Sequence, residues 1–221
     1  NGTIWGWNAG FAISALCWLG QADLAWELSC NLASQILEDG TLGTMSELVD
    51  AVLTPEGRVQ PTGTFSQAWS VSEFSRNAVQ DFVGYQPDLP KGEVCFRPCL
   101  PGSWTRLDTR VPIGADSWIR VQLASDSLGA GTTVDTWTIC IEPGPTPLPG
   151  FSLVFEQMVR PGEYRRYDCP LIDGQGSLTL FRPAPPAPMR FASLAADARS
   201  WEVLQGTDVL RTIIESGKEL L

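Results

Sequence analysis

Histidine is absent from all 221 residues of this chain. That removes a histidine-based nucleophile triad, a histidine proton shuttle and the commonest side-chain metal ligand together. Acid–base chemistry must then fall to Asp and Glu, with Lys, Tyr or Cys as rarer substitutes. Basic residues are scarce as well. Against 25 Asp plus Glu stand only 15 Lys plus Arg, a net charge of −10, and no long basic run offsets it. No nucleic-acid partner is expected on that balance. No apolar run reaches membrane-spanning length either, since Phe11 to Leu19 is short and carries Ser14. A charged-then-apolar signal segment is missing, and the first residue is Asn1. The chain is therefore expected to be a piece of a longer protein, with no membrane partner.

The six cysteines (Cys17, Cys30, Cys95, Cys99, Cys140 and Cys169) are scattered. Cys95 and Cys99 are the closest pair, but without a second pair or any histidine they make a poor zinc signal, and no metal is expected. Buried free thiols in a reducing cytoplasm are the expected state. The hydrophobic content of 43% is ample for a packed core, in one large domain or two small ones.

Residues 9 to 19 are apolar nearly all round, as in a helix buried on several sides. Gly20 supplies a stop, and Ala22 to Glu38 reads as a second helix. There Leu24, Leu28, Leu32 and Ile36 recur every four residues, with Ala25, Ala33 and Leu37 widening the stripe. Asp39 and Gly40 end it. Residues 40 to 65 are rich in Gly and Pro and read as a long loop, a place where function concentrates. Ser66 is the expected N-cap of a third helix that runs to about Val83.

From Gln86 onward, prolines and glycines give way to strand-like runs. These are Trp118–Leu123, Asp135–Ile141, Phe151–Phe155, Glu163–Asp168 and Ser177–Phe181. Several strands without intervening helices predict an antiparallel sandwich-like domain, making the chain α+β. The Pro-rich stretch Arg182 to Met189 is expected to be extended. Leu204 to Leu221 carries Val209, Leu210, Ile213 and Ile214 at helical spacing. The expected organisation is 1–85 helical, 86–205 β-rich and 206–221 a terminal helix.

Chemistry concentrates in the long loop. Glu47 lies between Gly43 and the second half of the loop, an acidic side chain free to project into a cavity. A general base that activates water for attack on a sugar needs such a carboxylate, and aromatic and amide groups hold the sugar. The ordinary alternative is a solvated loop glutamate. Asp50 is a second carboxylate in the loop, suited to a turn or to a sugar hydroxyl. Trp5, Trp7 and Trp69 are candidate stacking platforms, and Gln67 is a candidate hydroxyl-binding amide. Trp18 and Trp26 are assigned to core packing. Ser66 lacks any base to make it a nucleophile.

The segments Asn1-Gly2-Thr3-Ile4-Trp5, Gly43-Thr44-Met45-Ser46-Glu47-Leu48-Val49-Asp50 and Gln67-Ala68-Trp69-Ser70-Val71 resemble the C-terminal half of a known catalytic domain. It is the amylo-α-1,6-glucosidase domain of glycogen debranching enzymes. The resemblance covers about the first 85 residues, and the rest more weakly. It departs at Gly6, where the family commonly has Pro. Pro98 to Leu107 also looks like that family's lead-in to a C-terminal β-domain. The resemblance implies a segment of an (α/α) toroid and an inverting two-carboxylate mechanism with Glu47 as base. It also implies sugar contacts from Trp5, Trp7, Asp50, Gln67 and Trp69, no cofactor, and a branched α-glucan such as glycogen, starch or limit dextrin as substrate.

A toroid of twelve helices of about 12 residues with loops of about 5 needs on the order of 200 residues. Three helical patterns cannot close it. The acid of the family, an Asp on an upstream segment, is also missing, and Asp23, Glu27, Glu38 and Asp39 lie on or at the end of the second helix. The expectation is a fragment that is inactive alone, partnered by an N-terminal part of the same protein. Two other readings follow from the same residues: a related toroidal α-glucosidase acting on trehalose, and a non-catalytic glycan-binding or architectural module centred on the β-domain.

Overall fold

A computed structural model describes residues 3–184 apart from 53, 58–59 and 130–131, and the backbone of the segments 189–193, 201–205 and 208–212. The chain is α+β, with three helices and several sheets. It divides into two units, Asn1–Ala184 and Pro185–Leu221.

In the first unit, β1 (Thr3–Trp5) leads into α1 (Asn8–Trp18) and α2 (Ala22–Glu38). The stop between the helices is a two-bond closure. Gln21 N–H donates to the Leu16 carbonyl at 2.8 Å and Gly20 N–H to Cys17 at 3.0 Å, with Gly20 at φ +75°. This pattern satisfies two carbonyls left over at a helix end.

The buried seam of α2 is Ala25, Ser29, Leu32 and Ile36, while Leu37, expected in the stripe, is 64% exposed. α1 departs further from expectation. It buries Gly10, Ile13, Leu16 and Cys17, yet Phe11 and the core-assigned Trp18 are each 56% exposed. The reason is a shortage of neighbours: a helix apolar all round is covered only where another element lies against it. Trp26 does pack inward, 5.4 Å from Phe82 and 5.0 Å from Trp104 between ring centroids.

The long loop holds two short strands, β2 (Leu48–Asp50) and β3 (Pro61–Thr62), which join β1 in the order β1-β2-β3. α3 (Ala68–Arg76) follows. Its N-cap is Gln67, and no side chain caps it, so Ser66 does not serve as predicted. The helix continues through Asn77–Phe82 as a widened π-helical turn in which Val83 N–H reaches back five residues to the Ala78 carbonyl.

Two four-stranded sheets then form a sandwich around one core. The first runs β10 (Glu163–Asp168), β9 (Ser152–Arg160), β5 (Glu93–Phe96), β4 (Tyr85–Asp88). The second runs β11 (Gln175–Arg182), β8 (Thr132–Glu142), β7 (Ser117–Gly129), β6 (Arg106–Ile113). The second sheet is antiparallel throughout. In the first, β5 and β9 are parallel, paired from Glu93 and Ser152 to Phe96 and Phe155, so the sandwich is mixed. The alternation read at Ile119, Val121 and Leu123 faces inward, with each residue at most 3% exposed. Trp137, beside Leu123 in the same sheet, meets Phe155 of the facing sheet with ring centroids 5.2 Å apart.

The helical layer and the sandwich belong to one unit, so the boundary expected at 85/86 lies inside it. Trp104 and Cys99 pack into the helical core, and Val79 and Val83 pack into the sandwich core. The second unit pairs β12 (Met189–Ser193), β13 (Trp201–Gln205) and β14 (Asp208–Thr212) in an antiparallel sheet. Strand therefore stands over 208–212, where a terminal helix was expected, because the Val209 and Leu210 backbone pairs with Leu204 and Val203. Residues 213–221 and the prolines at 185, 186 and 188 lie outside the described residues.

Candidate functional site

β1 and β2 pair antiparallel with Trp5 opposite Leu48, so Glu47 enters the sheet at the end of β2 nearest Trp5. Thr64, from the far side of the loop, then holds the glutamate. Its backbone N–H and its hydroxyl both donate to Glu47 Oε2, at 3.1 and 3.0 Å. Glu47 N–H donates back to the Thr64 carbonyl at 2.8 Å. The other carboxylate oxygen, Oε1, has no hydrogen bond among the described residues. A carboxylate with one oxygen bound and the other open is oriented and still able to accept a proton.

Gly63 makes this possible. At φ +73° it turns the chain under the glutamate, and a Cβ there would lie 3.0 Å from Glu47 Oε2 and 3.2 Å from its Cβ. The same Thr64 hydroxyl lies 3.5 Å from Gln67 Oε1, and Gln67 N–H donates to the Met45 carbonyl at 2.7 Å. Glu47 and Gln67, 20 positions apart in sequence, thus meet through one threonine.

The three candidate indoles also gather. Trp7 is central, with ring centroids 6.4 Å from Trp5 and 6.4 Å from Trp69. Phe11, which sequence reasoning passed over, adds a fourth ring 5.7 Å from Trp7, nearly perpendicular at 81°. Trp69 is 61% exposed and Trp5 37%, so flat apolar faces are presented to solvent. Trp7 Nε1 is buried and has no hydrogen-bond partner among the described residues. Asp50 stands apart. It sits at the far end of β2 opposite Thr3, and its side chain makes no hydrogen bond among the described residues.

Beyond the aromatic cluster lies a polar network that the sequence did not reveal. Asp81 Oδ2 accepts from Asn77 Nδ2 at 2.6 Å and from Ser14 Oγ at 2.8 Å, with Arg76 Nη1 at 3.5 Å. The Gly10 carbonyl accepts from Asn77 Nδ2 at 2.9 Å. Arg76 also pairs with Glu73 at 2.8 Å and lies 6.0 Å from the centre of the Phe11 ring. Gly10 lets α3 lie this close, since a Cβ there would come 2.7 Å from the Glu73 Cβ. The signal available in the sequence was the helical spacing of Trp69, Glu73 and Arg76 on one face of α3, opposite Trp7 at the N-cap of α1 and Phe11 and Ser14 within it.

A shallow depression of about 390 Å³, open mouth included, is lined by Gln35, Met45, Ser46, Val49, Pro61 and Phe65, and by neither Glu47 nor an indole. Among the described residues no three metal-ligating side chains come together. No helix among them is long and apolar enough to cross a membrane. Compared with known proteins, the chain matches no family model, no curated protein and no solved structure.

Proposed function

We propose that this chain forms the C-terminal part of a cytoplasmic debranching-type glucosidase that removes α-1,6-linked glucose from branched α-glucans with inversion. The observation that carries the reading is the Glu47–Thr64–Gln67 constellation at the end of the strand pairing that brings Trp5 alongside. A carboxylate oriented through one oxygen and an amide beside it, with exposed indole faces elsewhere in the same unit, are parts a glycosidase base and its sugar subsite require.

In this reading Glu47 takes a proton from water as the water attacks the anomeric carbon. Thr64 holds the carboxylate in position, and Gln67, Trp5, Trp7 and Trp69 contact the sugar. The acid that protonates the leaving oxygen comes from upstream of Asn1, roughly 6.5–9.5 Å from the base so that water fits between them. The toroid helices carrying that acid supply the wall that the open face around Glu47 lacks. Exposed aromatic rings stand on both layers, Trp5 and Trp69 beside the helices and Trp118 and Phe181 on the sandwich, so it is the Glu47–Thr64–Gln67 constellation that favours this reading over a glycan-binding module centred on the sandwich.

The test is debranching of a limit dextrin by the longer protein with and without Glu47→Gln. Loss of turnover by about 10²-fold or more, with glucan binding retained, is the expected result for removal of a general base. Turnover within a few-fold of the unsubstituted enzyme overturns the assignment. This chain alone is expected to release no glucose.

A further inference from the structure

Of the six cysteines, two meet across the seam between the helical layer and the sandwich. Cys17 is on the last turn of α1, and Cys99 is 82 positions further along, in the segment linking β5 to β6. Cys99 Sγ donates to the Cys17 carbonyl at 3.8 Å, and both side chains belong to the same apolar cluster. All six cysteines are free. The usual fate of thiols in a core is isolation, and the others follow it. Cys95 and Cys169 are buried in the sandwich, Cys140 is half-buried on β8, and Cys30 is exposed on α2.

We infer that Cys17 and Cys99 are a redox couple, in which a peroxide oxidises Cys99 and Cys17 closes a reversible disulfide between α1 and the β5–β6 link. The order of events follows from burial and charge. Cys17 is 6% exposed, and its thiol is held protonated by its hydrogen bond to the Cys99 side chain, by burial and by the nearby Asp81 carboxylate, all of which push its pKa up. Cys99 is half-buried and so the more accessible sulfur. Access therefore sets the order, and a peroxide meets the half-buried Cys99 sulfur before the buried Cys17 sulfur.

The Cys99 sulfur attacks one peroxide oxygen and the O–O bond breaks. The departing oxygen leaves with a proton, as water when the oxidant is hydrogen peroxide. Sulfur has then lost two electrons and carries a hydroxyl as a sulfenic acid. The Cys17 sulfur next attacks the Cys99 sulfur, the S–O bond breaks, and the Cys17 proton leaves with the hydroxyl as a second water. Sulfenic acids condense with a neighbouring thiol in this way, and a dithiol reductant reverses the bond.

The crosslink joins elements that already interlock. Trp104, from the same link, meets Trp26 edge to face, and Gly102 N–H donates to Asp23 Oδ1 at 2.7 Å. A disulfide needs Cβ atoms near 3.8 Å apart and sulfurs at about 2.05 Å, and the Cys99 sulfur already stands 3.8 Å from the Cys17 carbonyl oxygen. Oxidation therefore clamps α1 to the sandwich without unfolding either.

The test is to treat the chain with hydrogen peroxide, block residual thiols, and digest with chymotrypsin without reduction. Cleavage after Trp18 and Phe96 separates Cys17 from Cys30 and Cys99 from Cys95. The expected product is a Cys17–Cys99 linked peptide, with two of the six thiols lost and both recovered on adding dithiothreitol. Cys17→Ser should accumulate a Cys99 sulfenic acid that dimedone traps, and Cys99→Ser should keep its remaining thiols at the same dose. Over-oxidised Cys99 beside an intact Cys17 thiol in the unsubstituted chain overturns the inference. So does a linked peptide made by any other pair. The digest of the unsubstituted chain decides the matter even where a serine variant fails to fold.

Discussion

Thr64 and Glu47 are joined by three hydrogen bonds, two received by a single carboxylate oxygen and one returned by the glutamate backbone. The threonine hydroxyl does the orienting that a backbone donor alone leaves loose. Under the proposed glucosidase reading, Thr64→Val is expected to lower kcat several-fold with KM little changed, and Thr64→Ser to restore it. Steady-state kinetics on a limit dextrin separate the two parameters. An unchanged kcat in the valine variant removes the positioning role.

Gly84 sits where the π-helical turn passes into β4. At φ +77° a Cβ would stand 2.1 Å from the Arg97 carbonyl carbon and 2.4 Å from Pro98 N. That clash is with backbone, which cannot step aside. Gly43 has a similar φ of +81° but nothing within 4 Å of the added atom. Gly84→Ala is thus expected to cost upward of about 4 kcal/mol or to prevent folding, and Gly43→Ala about 1 kcal/mol. Urea unfolding of the two variants separates backbone strain from collision.

Arg182, at the end of β11, pairs with Asp135 at 2.8 Å, both side chains largely buried. The guanidinium also donates to the carbonyls of Trp104 and Pro101 and to Ser125 Oγ. Removing one member leaves the other charge buried and alone. Arg182→Ala is expected to cost about 3–5 kcal/mol in a denaturant titration. Replacing both partners, as Arg182→Met with Asp135→Leu, should recover much of that loss.

Asp108, on the outer face of β6, accepts from Arg120 at 2.7 Å and from Gln122 at 2.8 Å. Arg120 first and Gln122 second hold its pKa down, at about 2 against an ordinary 3.8. A carboxylate held down in the folded state binds fewer protons there than in the unfolded chain. Its stabilisation is complete above pH 4 and disappears as pH falls toward 2. Asp108→Asn should therefore flatten part of the acid limb of stability, with little difference between variant and unsubstituted chain remaining at pH 2. Denaturant midpoints at pH 7, 4 and 2 check this, and added salt should shrink the effect because the pair is exposed.

What could be read in advance was what repeats locally. The α2 bounds, Ala22 to Glu38, came from a four-residue stripe closed by Asp39 and Gly40, and β10 from an uninterrupted six-residue run. The strands β4 and β6 were hidden by Pro87 and Pro112. Both strands are at sheet edges, where a missing N–H costs no ladder bond. Glu47, Gln67 and three indoles were legible as residue types suited to a sugar. Thr64 was not, because its three bonds to Glu47 are made only once β2 and β3 pair across the loop at 51–60. The exposure of Trp18 and Leu37 was equally hidden, since an apolar side chain does not announce whether anything will lie against it.

The π-helical turn at Asn77–Phe82 has a consequence for how tolerant this region is to change in length. Such a turn holds one residue more than the α-helix it interrupts, so deleting a residue between 77 and 82 would let the ladder revert to ordinary spacing. The widened turn takes up that residue by winding more slowly, so the shortened ladder would keep Phe82 against Trp26 and Trp104 and Gly84 against Arg97 in nearly the same phase. The same deletion inside α1 or α2, where no surplus is stored, would rotate everything downstream by about 100° and retract it by about 1.5 Å. The stretch 77–82 is thus where this layer tolerates the loss of a residue.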